Sequence, residues 1–278
     1  MLKILVTGAN GFIGSKRAEA LRQNSDFQIY GIDAEYFDEE KWWQRLSTTL
    51  ELYDPEVIFH VGACSDTLSL DVQDMMIKNY ESTKILVDWC RANDRKIIYS
   101  SSAANYGTNG VYPSNLYGWS KYVAEGYVTS NNGIALRYFN VFGPGEENKG
   151  KMASYYYQAY KTIEKKDVVY LFPGSPTRDF IFIDDVIRAN LHAFQNYDSL
   201  RGKYYEVSTA SSEKFETFIS NLTDNFQYTT TDKIPQGYQF YTCGDKSLWM
   251  EGWNPIFDIH RSTKAYLDYL QQFFRREQ

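Results

Sequence analysis

Tyr117 and Lys121 stand four residues apart in Leu116-Tyr-Gly-Trp-Ser-Lys121, a spacing that on a helix sets both side chains on one face about a turn apart. The pair suits a phenolate base. A free tyrosine titrates near ~10, so acting at neutral pH asks for roughly three pKa units of depression, or about 4 kcal/mol in favour of the charged form. An ammonium ~4 Å away supplies about that at an effective dielectric of ~20. The same spacing also recurs by chance, and a packed ring beside a solvated amine satisfies it equally well.

A second pattern lies at the other end of the chain. Lys3-Ile-Leu-Val-Thr7 is a short apolar run rich in branched residues, Gly8-Ala-Asn-Gly11-Phe-Ile-Gly14 follows at once, and Ser15 to Arg22 reads as a helix. The order is strand, glycine turn, helix. Such a turn lets the backbone approach a pyrophosphate, while the helix N-terminus offers N–H groups to the anion. Phe27-Gln-Ile-Tyr-Gly-Ile32 then ends in Asp33, nineteen positions after Gly14, close to the spacing at which an acid meets the adenosine ribose hydroxyls. Gly8, Asn10, Gly11, Phe12, Ile13, Gly14 and Asp33 are therefore expected to bind a dinucleotide. Asp33 would face a 2′-phosphate with like charge and Ala34-Glu35 adds no cation, which favours NAD; Lys16 and Arg17 are the cations that would admit NADP instead.

With these residues in place the chain resembles the extended short-chain dehydrogenase/reductase family of nucleotide-sugar epimerases over most of its length. Phe59-His-Val-Gly-Ala-Cys-Ser65 resembles that family's fourth strand and the loop beside the cofactor, Tyr99-Ser-Ser-Ser-Ala-Ala-Asn-Tyr-Gly107 its fifth strand with a catalytic serine, and Arg137-Tyr-Phe-Asn-Val-Phe-Gly-Pro144 its sixth. His60-Val-Gly-Ala-Cys-Ser65, Met75-Met-Ile-Lys-Asn-Tyr80, Asn148-Lys-Gly-Lys-Met-Ala-Ser154 and Arg178-Asp-Phe-Ile-Phe182 further resemble the members that act on nucleotide-activated heptoses.

The resemblance implies epimerisation through a transient ketone, with tightly held NAD (NADP possible), a nucleotide-diphosphate sugar as partner and a homo-oligomer. It assigns Ser102 to orient the reacting oxygen, Tyr117 as base, Lys121 to the ribose and the tyrosine, and Lys149 as a second base. Gly62, Ala63 and Asn79 join the cofactor set, and Ser65, Asn140, Ser154, Phe172, Arg178 and Tyr238 the substrate set. Arg178 suits a pyrophosphate because its fork binds two oxygens. A sugar 4-epimerase or reductase of the same fold is the alternative within enzymes, and a non-catalytic NAD-binding protein the alternative outside them.

There are departures too. Only Ala34 to Glu56 separate Asp33 from the fourth strand, and the family's third strand, ending in an Asp-hydrophobic pair beside the adenine, is not found there. Gln158 replaces a histidine and Gly237 an arginine at positions on the sugar side. Ala103 and Ala104 stand where dehydratases carry an acidic pair, which disfavours dehydration. Three scattered histidines, His60, His192 and His260, lack metal-ligand spacing, and no Gly-x-Ser-x-Gly marks a hydrolase.

The elements that must carry these groups follow from the wider pattern. At 278 residues and 43% apolar content the chain can bury a large core, with no run approaching the ~20 residues of a membrane span and no room for a signal peptide before Thr7. The expectation is a cytoplasmic protein off the membrane. A net charge of −6 argues against general nucleic-acid affinity, and three widely spaced cysteines, Cys64, Cys90 and Cys243, suggest neither disulfides nor a metal site. Alternating strand-like and helix-like segments predict an α/β fold: a Rossmann-type doubly wound parallel sheet with a smaller, interleaved C-terminal substrate domain. The expected large domain is 1–143 with returning segments near 179–209; 144–178 and 210–278 form the smaller one. Within them, Lys151 to Lys165 reads as a helix, Val168 to Phe172 as a strand, Phe180 to Ile183 as a strand rejoining the large domain, and Ser262 to Arg275 as a closing helix. Most of the tyrosines, Tyr155-Tyr-Tyr157 among them, are expected to pack.

Overall fold

The computed structural model describes residues 1–278 except Ala63, Gln236 and Gln278, along with all side chains of the described residues but those of Asp38 and Glu277. It divides into two compact units, Met1–Arg137 with Ile187–Tyr205, and Tyr138–Val186 with Glu206–Gln278.

In the larger unit the chain runs β1 (Leu2–Thr7), α1 (Phe12–Arg22), β2 (Phe27–Ile32), α2 (Trp42–Tyr53), β3 (Val57–His60), α3 (Val72–Met76), a π turn over Ile77–Glu81, α4 (Ser82–Ala92), β4 (Lys96–Ser102), α5 (Leu116–Ser130) and β5 (Ile134–Tyr138). Strands pair in the order β2-β1-β3-β4-β5-β9, the last being Tyr204–Val207. β1 lies parallel to β2 and β3, and β3 parallel to β4. β3, Val-Ile-Phe-His, is buried at every position, as a parallel strand covered on both faces must be. Leu5, Ile58, Tyr99, Leu86, Leu50 and Val128 form a core joining sheet and helices.

The edge at β2 explains the missing motif. After Asp33 the chain makes a short 3-10 turn, Ala34–Asp38, and goes through α2 straight to β3, leaving β2 as the outermost strand of this sheet. Tyr30 of β2 stacks on Tyr53 of α2 with centroids 4.3 Å apart. The helix expected from Ser15 begins at Phe12 instead, because Gly11 in extended conformation already serves as its N-cap.

The smaller unit holds β6 (Asn140–Phe142), α6 (Tyr155–Glu164), β7 (Val169–Leu171), β8 (Thr177–Phe182), the start of α7 (Ile183–Gln195), β10 (Ser212–Lys214), α9 (Phe215–Phe218), β11 (Phe226–Tyr228) and α10 (Ile259–Glu277); α8 (Tyr197–Leu200) belongs to the larger one. Strand 177–182 does not rejoin the large sheet as expected. It pairs with β6 and β10 in a three-stranded sheet, so the crossing falls at α7, and the return covers 187–205. Nor does a helix run unbroken from Lys151: a 3-10 segment, Glu147–Met152, is kinked at Gly150 (φ 56°), and α6 starts only after the Ser154 cap. The aromatic richness is absorbed here, where Phe142, Tyr156, Tyr157, Phe180, Phe218 and Tyr266 form the core. Among the described residues no helix is long and apolar enough to cross a membrane, no cluster of residues could hold a metal ion, and the three cysteines are free.

His60, at the end of β3, ties the larger sheet together. Its Nδ1 lies 2.7 Å from Thr7 Oγ1 and its Nε2 2.8 Å from Thr83 Oγ1. Thr83 donates to the Asn79 carbonyl, and Thr7 accepts from the amides of Val61 and Gly62, so the network closes with neutral His60 accepting at Nδ1 and donating from Nε2. Burial first, and Lys121 second, hold its pKa at about 3. Because the folded value lies below the unfolded ~6.5, the stability this group contributes is complete above that pH and lost progressively as pH falls toward 3, at up to about 1.4 kcal/mol per unit. Urea denaturation between pH 7 and pH 4 is expected to show wild type losing more stability than His60→Gln; equal losses would contradict the assignment.

Candidate active site

The glycine turn is shaped by close approaches. Gly8 has φ 64°, and a Cβ there would meet Gly62 Cα at 2.7 Å; one on Gly14 would sit 1.9 Å from the Gly8 carbonyl oxygen. Larger residues would push α1 off β1. No side chain caps α1 at Gly11, and the first-turn amides of a helix have no partners within it. Phe12 is buried, whereas Gly11 and Asn10 are exposed. Asp33 Oδ2 accepts from the Asn10 amide at 2.6 Å and Oδ1 from Ala34 at 2.8 Å, fixing the carboxylate beside the turn. A cleft of about 370 Å³ opens there, lined by Asn10, Ser15, Arg22, Gly31, Asp33 and Glu35 among others. Of the three basic residues of α1, Arg17 is fully buried with its guanidinium 5.0 Å from the Phe59 ring, Lys16 pairs with Glu19, and only Arg22 reaches this cleft. A helix start with no side-chain cap, a glycine-rich turn and a ribose-spaced carboxylate fit a dinucleotide.

The loop after β3 is pinned from below. Asn79, in the π turn, is 1% exposed; its Oδ1 accepts from the Cys64 amide at 2.7 Å, and its Nδ2 donates to the Cys64 carbonyl and to Ser120 Oγ. This side chain, expected to meet the cofactor, is spent joining the loop to α5. Gly62 touches the glycine turn, Ser65 is exposed, and Ala63 lies outside the described residues.

Helix α5 brings the reactive pair into place. Asn115 caps it by accepting from Gly118 at 2.8 Å, and a Cβ on Gly118 would lie 2.7 Å from the Ala104 carbonyl oxygen, so the helix start rests on the turn after β4. Ser102 therefore reaches Tyr117. The Ser102 hydroxyl accepts from Ala104 at 3.1 Å and lies close enough to the Tyr117 oxygen to pull its pKa down. The ring of Tyr117 is half-buried but its hydroxyl is deep; burial raises its pKa, Ser102 opposes, and the nearby Cys64 adds to the rise. Lys121 is 2% exposed, its Nζ 4.5 Å from the Tyr99 ring centroid, and burial pulls its pKa from 10.5 to about 7 against the pull of Glu125. By itself the protein thus keeps the proton on Tyr117 and loosens the one on Lys121. A cationic ring bound beside the phenol would reverse the first preference.

The smaller unit gathers the remaining residues into two groups. Glu146, fully buried, accepts from the Gly143 amide and from both the amide and hydroxyl of Ser154, while Ser154 caps α6 through Tyr157. Ser154, expected on the sugar, is engaged inside. This anchors the loop carrying Lys149, whose amide donates to the Glu146 carbonyl at 3.0 Å; burial lowers its ammonium pKa and Glu146 resists. Elsewhere Arg178, 6% exposed, lies 4.8 Å from the Tyr238 ring centroid, and Phe172 packs edge-on to Tyr238 at 5.1 Å. Burial also lowers the Arg178 pKa, with Tyr238 opposing. Asn140 is exposed on β6 and joins neither group.

Reading the sequence missed Glu125, Arg137, Glu146 and the His60 bonds. Glu125 carried a signal, since it repeats the four-residue spacing from Lys121; Glu146, in a glycine-rich turn, carried none.

Residues 4–208 match the model of the NAD dependent epimerase/dehydratase family. The chain is 31% identical to an ADP-L-glycero-D-manno-heptose-6-epimerase of Brachyspira hyodysenteriae, over 97% of this chain and 98% of that one. It is equally similar, at 31%, to the Alkalilimnicola ehrlichii protein of the same name, over 95% and 96% of the two chains. Among solved structures, the Helicobacter pylori ADP-L-glycero-D-manno-heptose-6-epimerase superposes with a TM-score of 0.81 at 26% identity, covering 97% of this chain and 96% of that one. UDP-glucuronic acid 4-epimerase of Bacillus cereus, solved with UDP-glucuronic acid and NAD, shares the fold at TM-score 0.82 and 23% identity, over 98% of this chain and all of that one. A glycine cradle ending in a fixed aspartate, a Ser-Tyr-Lys constellation and a matching family model over most of the length lead to one conclusion: the chain belongs to the NAD dependent epimerase/dehydratase family.

Proposed function

We propose that this protein inverts one carbinol centre of a nucleotide-activated sugar, and that the sugar is an ADP-linked glycero-manno-heptose. The observation that carries the reaction type is Ser102 placed beside Tyr117, whose helix carries buried Lys121 one turn on. The sugar rests on full-length likeness to heptose 6-epimerases at 31% identity. A 4-epimerase reading rests on neighbours under 25% identical, which carry fold alone.

Bound NAD would supply the redox step, accepting a hydride from the sugar carbon and returning it to the opposite face. The chain's own residues handle the protons and the anchoring. Ser102 orients the sugar hydroxyl and Tyr117 removes its proton, with Lys121 beside it to favour the phenolate and to hold the ribose. Reprotonation with inverted geometry needs a donor other than Tyr117, which its helix holds in place; Lys149, with an ammonium pKa lowered by burial, has the chemistry for it. Arg178 would take the diphosphate, and Phe172 with Tyr238 would offer ring faces to the base. Ser65 and Asn140, both exposed, complete the sugar side.

Three outcomes test this reading. Protein purified with its cofactor and denatured should release mainly NAD, since Asp33 and Glu35 both line the ribose cleft and would repel a 2′-phosphate; mainly NADP would mean that Arg22 outweighs them. Tyr117→Phe, which keeps the ring and its packing, should lose at least about 10²-fold in turnover of ADP-L-glycero-D-manno-heptose while keeping its bound cofactor. Turnover near wild type would remove Tyr117 as the base. Lys149→Met should lower kcat strongly at near-normal KM; a raised KM with unchanged kcat would reduce Lys149 to a diphosphate contact.

A further inference from the structure

Four residues beyond Lys121, helix α5 carries a carboxylate that solvent barely reaches: Glu125 is 4% exposed. Both of its oxygens are engaged. Oε2 accepts from Ser101 Oγ at 2.6 Å, from Asn105 Nδ2 at 3.0 Å and from Arg137 Nε at 2.8 Å, while Oε1 accepts from Arg137 Nη2. The guanidinium, 6% exposed, lies 3.6 Å from the Tyr204 ring centroid and 4.8 Å from that of Tyr106. One carboxylate thereby joins α5 to the end of β4, to the turn that follows it and to β5. Ser101 immediately precedes Ser102, so this clamp lies next to the hydroxyl that meets Tyr117.

We propose that Glu125 is a positioning residue for the Tyr117–Lys121 pair: it fixes Ser102 and α5 in register and supplies the negative charge that keeps Lys121 protonated when Tyr117 works. The inference rests on Tyr117 and Lys121 acting together. A buried ion pair with no further task is often replaceable by apolar residues of the same volume. Here the pair stands on the face of the helix that bears Lys121, where a carboxylate has something to do.

The surroundings of Lys121 single it out. Around its ammonium are Glu125 from its own helix, Tyr99 from β4, and His60 from β3, which Lys121 helps to keep neutral. Arg137 of β5 is bonded to Glu125, and Lys84 and Asp88 of α4 pair with each other and with Tyr127 further along α5. Of the groups around the ammonium, Glu125 is the carboxylate. Burial alone drives Lys121 toward its neutral form, and Glu125 opposes it.

Lys121 can be titrated directly by NMR of carbon-labelled lysine side chains, its signal assigned by its loss in Lys121→Met, alongside the pH profile of kcat/KM on ADP-L-glycero-D-manno-heptose. Glu125→Gln should lower the Lys121 titration by about one unit and move the alkaline limb of kcat/KM down with it. Glu125→Asp, which keeps the charge, should restore both toward wild type. Glu125→Gln leaves Arg137 buried without its partner and risks misfolding, so Glu125→Gln combined with Arg137→Met serves beside it; there too the titration should fall, by less, because the opposing guanidinium charge is also gone. An unmoved Lys121 titration in a folded variant, with stability alone reduced, overturns the proposal. If Tyr117→Phe retained turnover, the catalytic reading would fail while the lysine titration still judged the electrostatic part.

Discussion

Taking an ammonium out of water costs several kcal/mol unless neighbouring groups answer it, and the larger unit is organised around one such ammonium, Lys121. The groups that meet this cost come from different elements: the Tyr99 ring from β4 and Glu125 from the same helix. Each must be held in place by something else. Glu125 is clamped by Arg137, Ser101 and Asn105, and α5 itself is kept close to β4 by the missing side chain at Gly118. His60 belongs to the same arrangement: burial and the Lys121 charge keep it neutral, and its bonds to Thr7 and Thr83 tie β3 to β1 and α4.

A parallel sheet brings the ends of its strands to one edge, and three features of the candidate site fall on that edge. β1 ends in the glycine turn, β3 in the loop that Asn79 supports, and β4 in Ser102. In open α/β sheets ligands bind outside the carboxyl ends of the strands, which is where these features fall. Buried polar groups recur in the smaller unit, where Glu146 anchors the Lys149 loop and Asp179 accepts from Thr209 and Gly244. That unit has one core cluster made mostly of aromatic rings beside a second, aliphatic one, so the tyrosine-rich composition has a packing explanation independent of catalysis.

Local spacing made the main features legible in the sequence. The glycine turn, the Asp33 distance and the Tyr117–Lys121 interval each fix a backbone shape, and the absence of a strand between Asp33 and Val57 was visible as a simple lack of residues. What escaped depended on groups distant in the chain. Nothing around Asn79 signals that its amide would bond Cys64 and Ser120, and nothing at Ser154 signals that its hydroxyl would bond Glu146. The destination of the strand expected at Phe180 to Ile183 was not legible for the same reason: a short apolar run suits either sheet, and its pairing with β6 and β10 is a tertiary choice.

The central claim is that one carbon is oxidised and re-reduced within the protein, with every proton moved by its own side chains. ADP-L-glycero-D-manno-heptose carrying deuterium at the carbon to be inverted tests it directly, with the NAD-loaded protein in ordinary water and the product followed by NMR. The account predicts an inverted product that keeps its deuterium, because the label leaves and returns on the bound cofactor without meeting solvent. Inversion with loss of the label to water would contradict it, since that outcome requires removal of a proton from carbon.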